Sequence, residues 1–203
     1  MRSKYVMASK GSRLTIGTGF DDVLAAAQAN APWAFQRLYE ELAPVVTGYL
    51  RLRGAAEPDD LCSEVFLGVF RNLGSFSGGE EGFRSWVFTI AHRRLLDERR
   101  SAGRRPETEA LTDPLAGLEG GDVESEALDE LGHGWVAEVL DVLTSDQREV
   151  LLLRVVADLP VEEVAEIVGK RPGSVRAAQH RAIETLRREL ARGRISDPRG
   201  RRG

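Results

Sequence analysis

The most specific spacing in this sequence lies between residues 161 and 186 and is that of a helix-turn-helix motif. Such a motif needs a small residue inside its first helix, where the second helix packs across it, and a glycine four positions later for a left-handed turn. Ala165 and Gly169 stand at these two positions, and Val175, six residues further on, would seat the second helix. The spacing favours a DNA-binding motif over the alternative, an ordinary helical hairpin within an α-helical core.

The charges around this motif are typical of a surface that binds DNA. From residue 170 to residue 202 the sequence holds eleven basic and three acidic side chains. The residues predicted to pack inward along the second helix are Val175, Ala178, Ala182, Ile183, Leu186 and Leu190. The opposite face would present its N-terminal half to a major groove, where polar side chains read base edges and basic ones hold phosphates. The candidates are Arg176 and His180 for base edges and Lys170, Arg171 and Arg181 for phosphates, with Ser174 and Ala177 on the same face.

A predicted helix from Asp59 to Leu73 carries acidic residues along one side. Its apolar residues recur at three- and four-residue spacing, which is typical of a helix with one buried face. The polar side holds Asp59, Asp60, Ser63 and Glu64. An acidic helix face of this kind suits a basic protein partner.

The next stretch combines a Gly/Ser-rich loop, Ser75–Gly82, with a helix predicted to start at Phe83 and to expose arginines. The arginines predicted to be exposed are Arg84, Arg93, Arg94, Arg99 and Arg100. Phe76 and Phe83 are also expected to be exposed, and aromatic residues beside arginines offer a stacking platform for single-stranded nucleic acid. Aromatic residues at helical spacing are equally typical of a core, which is the prediction for Phe66, Phe70, Trp86 and Phe88.

The elements that position these residues are all predicted to be helices, because no stretch alternates with the period of a strand. The predicted helices are Asp21–Asn30, Pro32–Arg53, Pro58–Leu73, Phe83–Arg100, a helix capped by Thr144 and ending near Asp158, Pro160–Val168 and Pro172–Arg192. The fold class is therefore all-α, with two small helical domains joined by an acidic flexible linker. The predicted boundaries are a basic tail at 1–20, domains at 21–101 and 133–192, the linker at 102–132 and a basic tail at 193–203.

The formal net charge of −4 argues, as an average, against a nucleic-acid partner. The charge is unevenly distributed, however, since residues 106–146 hold twelve acids and no base, whereas residues 147–203 hold thirteen bases and eight acids. One acidic block thus masks basic segments on either side of it. Of the 28 basic residues, 25 are arginine, which suits contacts with phosphates and base edges but also follows from a GC-rich coding sequence.

Composition excludes several classes of protein and site. With one cysteine, Cys62, no internal disulfide can form, and with three histidines besides, a Cys/His zinc site is implausible. No apolar run is long enough to span a membrane, and the N-terminus lacks the apolar stretch of a secretory signal. The sequence therefore predicts an intracellular protein without membrane insertion.

Two blocks of sequence resemble bacterial extracytoplasmic-function (ECF) sigma factors. Asp60–Leu67, followed by Phe76 and Phe83–Asp97, looks like their region 2. Leu143–Arg154, followed by the helix-turn-helix that ends in Arg181–Arg187, is similar to their region 4. The resemblance covers about residues 22–100 and 134–190, in the family's order and with its linker. Ser63 and Arg93 differ from the residues usual in the family, which leaves the −10 sequence preference open.

The resemblance implies a cytoplasmic promoter-specificity subunit of RNA polymerase, with no cofactor, no metal and no catalytic residue. It implies that Asp60 and Glu64 bind core polymerase and that the helix-turn-helix residues named above bind the −35 element as a duplex. The implied contacts to the opened −10 element are Ser75, Phe76, Ser77, Gly78, Gly79, Arg84, His92 and Arg93. The acidic linker would thread the polymerase channel, and an anti-sigma factor is an expected partner.

Two other function classes are weighed against this interpretation. A helix-turn-helix regulator that binds an operator without polymerase would explain residues 133–192, but it leaves the helices before the linker without a role. A nucleic-acid hydrolase would need a nucleophile with its base, a phosphate loop or a set of metal ligands, and the sequence presents none of these. The sigma-factor interpretation assigns a role to both domains.

Overall fold

A computed structural model of the 203-residue chain describes residues 19–102, 136 and 138–195. Within these residues every secondary-structure element is helical, which confirms the predicted fold class. The helices are α1 (Phe20–Gln28), α2 (Pro32–Leu52), α3 (Pro58–Asn72), a 3₁₀ turn (Leu73–Ser75), α4 (Glu80–Ala102), α5 (Ser145–Val155), α6 (Val161–Ile167) and α7 (Pro172–Ala191), with a short helical segment at 138–141 before α5. Most of the predicted linker and of both predicted tails lies outside the described residues.

Helices α1–α4 form an N-terminal unit around a core of aliphatic and aromatic side chains. Both α2 and α3 begin with a proline in the first turn, where its fixed φ suits a helix start. Tyr49 of α2 packs edge-on against Phe88 of α4, with ring centroids 5.5 Å apart. Of the aromatic residues predicted for the core, Phe66 and Phe88 are buried, and Phe70 and Trp86 are half-buried against it. This packing sets α3 and α4 side by side.

Two predicted boundaries in this unit are wrong. Helix α4 begins at Glu80 rather than Phe83, so the loop predicted to reach Gly82 ends at Gly79. Acidic residues in a first helical turn interact favourably with the helix dipole, which explains why Glu80 and Glu81 start the helix despite the glycines around them. The predicted N-terminal tail also ends earlier, because Phe20 is buried and its ring lies 5.6 Å from that of Phe83.

Helices α5–α7 form a C-terminal unit. A capping box starts α5, because Gln147 donates its backbone N–H to Thr144 Oγ1 and the Thr144 backbone N–H donates to Gln147 Oε1. The chain turns at Gly169 with φ of +64°, a left-handed conformation that glycine adopts at little cost. Ala165 and Val175 are buried on either side of that turn. The predicted helix-turn-helix is therefore present, and α5 ends at Val155, three residues before the predicted end.

The end of α7 differs from its prediction. Leu190, expected to pack inward, is 43% exposed. Ile195 is buried instead, although it falls within the predicted loose tail. The chain reaches this position through a turn at Gly193, where φ is +67°.

The two units contact each other through α4 and α6 and through the end of α2 and α5. Among the residues that the structure describes, no helix has the length and apolar character needed to cross a membrane.

Candidate nucleic-acid interface

The predicted DNA-reading face of α7 lies on the outside of the molecule. Val175, Ala178 and Ala182 are buried and seat the helix against α5 and α6. On the opposite face, Ala177 is half-buried and the other predicted residues are exposed. The exposed residues are Ser174, Arg176, His180 and Arg181. Lys170 and Arg171 precede the helix directly. The structure thus brings together all seven residues that the sequence predicted for duplex DNA.

Two of these basic side chains are paired with carboxylates of their own unit. Arg176 donates from Nη2 to Glu162 Oε1 of α6 at 2.6 Å. Lys170 donates to Asp146 in the first turn of α5. Both pairs lie at the surface, although the Lys170 side chain is only 30% exposed, so each contributes little to stability and can exchange for a phosphate or a base edge. Helical periodicity did not reveal these partners, because the acids lie on other helices.

The acidic face of α3 is also exposed. Asp60 and Glu64 lie one turn apart on it, and Leu67, the next residue on that face, is exposed although it is apolar. A groove of about 340 Å³ runs between α3 and the end of α4. It is lined by Glu57, Asp60, Leu61, Glu64, Arg94, Asp97, Glu98 and Ser101. Asp97 and Glu98 extend the acidic surface onto α4. This extension results from the packing of α3 against α4, so the sequence pattern of either helix alone does not indicate it.

The loop between the 3₁₀ turn and α4 is only partly the exposed platform that the sequence predicts. Its small residues Ser75, Ser77, Gly78 and Gly79 are exposed. Phe76 is half-buried and stacks on Trp86 with ring centroids 5.1 Å apart. Gln28 Nε2 donates to the carbonyl oxygens of Leu73 and Phe76, which holds the loop on α1. The expected exposure of Phe83 is wrong, because its side chain is fully buried.

The arginines of α4 divide into two groups. Arg93, Arg94, Arg99 and Arg100 are exposed as predicted. Arg84, also predicted to be exposed, is only 5% exposed, and His92 is 6% exposed. The physical reason is that the C-terminal unit lies on this face. Arg84 Nη1 lies 3.8 Å from Asp158 Oδ2, and the hydroxyl of the neighbouring Ser85 donates to Glu163 Oε2.

A second set of contacts between the units centres on Glu149 of α5. Its Oε1 atom accepts a hydrogen bond from Arg53 Nη2 at 2.8 Å and lies 3.3 Å from His92 Nδ1. The Tyr49 hydroxyl lies 3.3 Å from the same histidine nitrogen. Burial lowers the pKa of His92. The positive charge of Arg53 lowers this pKa further, whereas the negative charge of Glu149 raises it. Burial also raises the pKa of Tyr49. His92 is therefore favoured as a neutral ring at this contact.

Comparison with known proteins places both units in one family. A family model for sigma-70 region 2 matches residues 38–105, and one for sigma-70 region 4 matches residues 133–186. The ECF RNA polymerase sigma factor SigD of Mycobacterium tuberculosis is 34% identical over 190 residues, which cover 91% of this chain and 87% of SigD. The chain belongs to the ECF sigma factors. The ECF sigma factor BldN of Streptomyces coelicolor is 32% identical over 83% of this chain and 65% of its own length.

Solved structures support the fold of this sigma factor. CnrH, in complex with the cytosolic domain of CnrY, has a TM-score of 0.61 at 21% identity and covers 85% of this chain and 97% of its own. RpoE of Bartonella quintana, in complex with the anti-sigma factor NepR, has a TM-score of 0.55 at 20% identity. The match covers 77% of this chain and 96% of the RpoE chain. As a sigma factor, the chain is a promoter-recognising initiation factor of RNA polymerase, and it is not an enzyme.

Among the described residues, no cluster of three or more His, Cys, Asp or Glu side chains is arranged to hold a metal ion. Cys62 is a free thiol that packs in the core of the N-terminal unit.

Proposed function

We propose that this sigma factor recognises the −35 element as a duplex through the exposed face of α7. The observation that carries the proposal is the combination of a buried apolar face with a basic, exposed N-terminal half in one helix. In a helix-turn-helix, that half enters the major groove. Arg176 and His180 would contact base edges, and Lys170, Arg171 and Arg181 would contact phosphates, with Ser174 and Ala177 lying against the groove.

The test of this assignment is the affinity of the full chain for the duplex that it enriches from a random-sequence pool. Arg176→Ala should weaken binding by about 1–3 kcal/mol and relax selectivity at one base pair. Arg187→Ala is the matched control, because Arg187 is an exposed arginine of the same helix outside its N-terminal half. Equal affinity of Arg176→Ala and the unaltered chain would contradict the assignment.

The acidic face of α3 is the proposed docking surface for core polymerase. Asp60 and Glu64 are exposed and lie beside Leu67, so that an apolar contact and two charges share one face. Reversal of both charges with Asp60→Arg and Glu64→Arg should abolish co-purification with core polymerase and leave duplex binding by α7 intact. Glu40→Arg, at an exposed acid of α2, is the control. Core affinity that survives the double reversal would remove this role.

The loop and α4 are the proposed contact for the opened −10 element. The exposed loop residues Ser75, Ser77, Gly78 and Gly79 and the exposed Arg93 support it directly, and Phe76 offers a half-buried ring beside them. Arg84 and His92 belong to the same proposal and would contact DNA once the C-terminal unit leaves them. Arg93→Ala should slow promoter opening in run-off transcription without changing −35 binding.

The proposed partners are core RNA polymerase, promoter DNA and an anti-sigma factor, and the proposed location is the cytoplasm, where these meet. The docking face of α3 and the duplex-DNA face of α7 are exposed, which supports a shielding partner. RpoE of Bartonella quintana, a sigma factor of the same fold, was solved in complex with the anti-sigma factor NepR. Affinity purification from the native cell tests this. Recovery of polymerase without any inhibitory protein would contradict the anti-sigma part.

A further inference from the structure

The loop 75–79, between the 3₁₀ turn and α4, is held by a side chain from a different helix. Gln28, the last residue of α1, donates from Nε2 to the carbonyl oxygen of Leu73 at 3.0 Å and to that of Phe76 at 2.8 Å. A glutamine amide has two N–H donors, so the two carbonyl groups use both of them. Because Gly74 and Ser75 lie between these carbonyl groups in the chain, one amide holds both ends of this turn.

The ring of Phe76 fixes the loop at a second point. It stacks on Trp86 of α4 with ring centroids 5.1 Å apart, and it meets the buried ring of Phe83 edge-on at 5.4 Å. Gly78 lies against the same ring with φ of +150°, and a Cβ at this residue would lie only 3.3 Å from Phe76 Cζ. Glycine allows both this close approach and this backbone angle. The loop therefore wraps around the Phe76 ring.

The loop presents mainly backbone to the outside. Its exposed residues carry a short side chain or none; they are Ser75, Ser77, Gly78 and Gly79. The Ser75 hydroxyl is already used, because it donates to the carbonyl oxygen of Asn72 at 2.8 Å. Main-chain N–H and C=O groups can bond to a base edge, but they have no rotamers through which to adapt to it. The position of the backbone therefore decides which base edge this loop can match.

The helix that carries Gln28 is itself fixed in the core. Phe20, Leu24 and Ala27 of α1 are buried. The Phe20 ring lies 5.6 Å from that of Phe83. Ala27 directly precedes Gln28, so the amide extends from a backbone position that core packing determines. Gln28 is exposed, and its replacement therefore changes the contact with the loop without leaving a cavity in the core.

We propose that Gln28 is a positioning residue for recognition of the opened −10 element and that it sets base preference by holding the loop backbone in place. The inference rests on the proposed −10 role of this loop. Gln28 acts through the carbonyl groups of Leu73 and Phe76 and does not itself contact the strand. A loop that is ordered in advance loses less conformational entropy when it binds a base. Loss of the amide should therefore reduce both the rate of promoter opening and the discrimination between bases.

The test variant is Gln28→Met, which keeps the length of the side chain and removes both N–H donors. Gln36→Met is the matched control, because Gln36 is an exposed glutamine of α2 whose amide donates to Glu40 Oε1 at 2.7 Å within its own helix. Gln28→Glu is a second test variant, since its carboxylate would face the two carbonyl oxygens and repel them. Urea unfolding of the full chain checks that all three variants are folded.

The first measurement follows the position of the loop. Phe76 stacks on Trp86, so acrylamide quenching of Trp86 fluorescence reports whether that ring stays in place. The chain has three tryptophans, and Trp33→Phe with Trp135→Phe leaves Trp86 as the only one that emits. Gln28→Met in this background should raise the quenching constant, and the control variant should leave it unchanged.

The second measurement uses holoenzyme assembled from the full chain and core polymerase. Its probe is a pool of promoters that share the duplex enriched by α7 and carry a randomised −10 region. Sequencing of the promoters recovered in open complexes gives the base preference at each position, and run-off transcription from the most enriched promoter gives the rate of opening. Gln28→Met should slow opening about fivefold, as expected when two exposed hydrogen bonds are lost, and should flatten the base preference within the −10 region. Affinity for core polymerase and for the −35 duplex should not change.

Three results would overturn the inference. One is slower opening with an unchanged base preference, which would show a general loss of activity. Another is an equal effect of Gln28→Met and Gln36→Met on base preference. The third is a Trp86 quenching constant that neither Gln28→Met nor Gln28→Glu changes, because the loop would then keep its position without the amide.

Ser77→Leu separates this inference from the function on which it rests, because it places a bulky side chain on the exposed surface of the loop and leaves Gln28 in place. If Ser77→Leu alters the base preference and Gln28→Met does not, the loop contacts the −10 strand but Gln28 does not position it. If neither variant alters the base preference, the −10 role of this loop is wrong and the inference falls with it.

Discussion

The two units of this sigma factor present their proposed nucleic-acid faces differently. In the C-terminal unit, a basic face on one helix is exposed, and its neighbours in space are near it in sequence. In the N-terminal unit, the corresponding proposed face is built from the loop 75–79 and α4, and its α4 part is partly covered by carboxylates from residues 149–163. A face formed within one helix can be found from periodicity, whereas a face closed by a distant segment cannot.

The aromatic residues of the N-terminal unit give the sharpest test of this difference. Phe83→Ala should destabilise the protein by about 3–5 kcal/mol, because its fully buried ring contacts Phe20, Phe76 and Trp86. Phe76→Ala, at the half-buried ring of the loop, is the comparison and should cost less. Urea unfolding measures both. If Phe83→Ala leaves stability unchanged but weakens single-strand binding, Phe83 is not a core residue, and the sequence-based prediction of an exposed stacking platform is correct.

The turn of the C-terminal unit tests the other side of the comparison, where sequence spacing alone indicated the structure. Gly169→Ala should destabilise by about 1–2 kcal/mol, since φ of +64° is costly for a residue with a Cβ and no neighbour lies within 4 Å of that atom to cause a clash. Gly173→Ala, within α7 and also in open space, should stabilise by about 0.5 kcal/mol instead. Thermal unfolding compares the two. A loss of equal size at both positions would mean that the left-handed turn is not the cause.

Sequence reasoning succeeded where structure depends on local chemistry. The capping box at Thr144, the small residue Ala165 and the turn at Gly169 are each specified by residues within a few positions. It failed for Arg84 and Phe83, whose burial depends on segments far along the chain. Helical periodicity places each residue on a face of α4, but it does not indicate which other segment packs against that face.

Sequence reasoning also missed the ion pairs within the C-terminal unit, and one of these pairs predicts a variant with higher affinity for duplex DNA. Glu162→Gln should release Arg176 and raise duplex affinity up to about fivefold at low salt, because an exposed ion pair contributes about 0.2–1 kcal/mol. Glu166→Gln, at an exposed acid of the same helix, removes an equal charge without touching that pair. Anisotropy titrations with the selected duplex compare the variants. A similar gain in duplex affinity for both variants would show that net charge causes the effect and that the Arg176–Glu162 pair does not compete with DNA binding.

The smallest expected effect is a pH dependence of the contact between the two units, where Glu149 of α5 meets Arg53 and His92 of the N-terminal unit. The groups that face His92 are Tyr49 from α2, Arg53 directly after α2, Arg93 and Arg99 from α4 and Glu149 from α5. Because burial holds the pKa of His92 below its ordinary value of about 6.5, the chain binds fewer protons with its units in contact than with its units apart. The contact between the units is then strongest above that ordinary value and weakens as the pH falls through it towards the lowered value.

Fluorescence energy transfer between labels attached at Ser63→Cys and Arg187→Cys, both exposed positions, should therefore decrease between pH 7.5 and pH 5.5. His92→Gln keeps a neutral polar side chain at the contact and should remove the part of this change that the imidazole contributes. A pH response of the same size in His92→Gln would assign the titration to the carboxylates of the C-terminal unit. In that case charge would still hold the two units together, but the groups that titrate would be the carboxylates of the C-terminal unit.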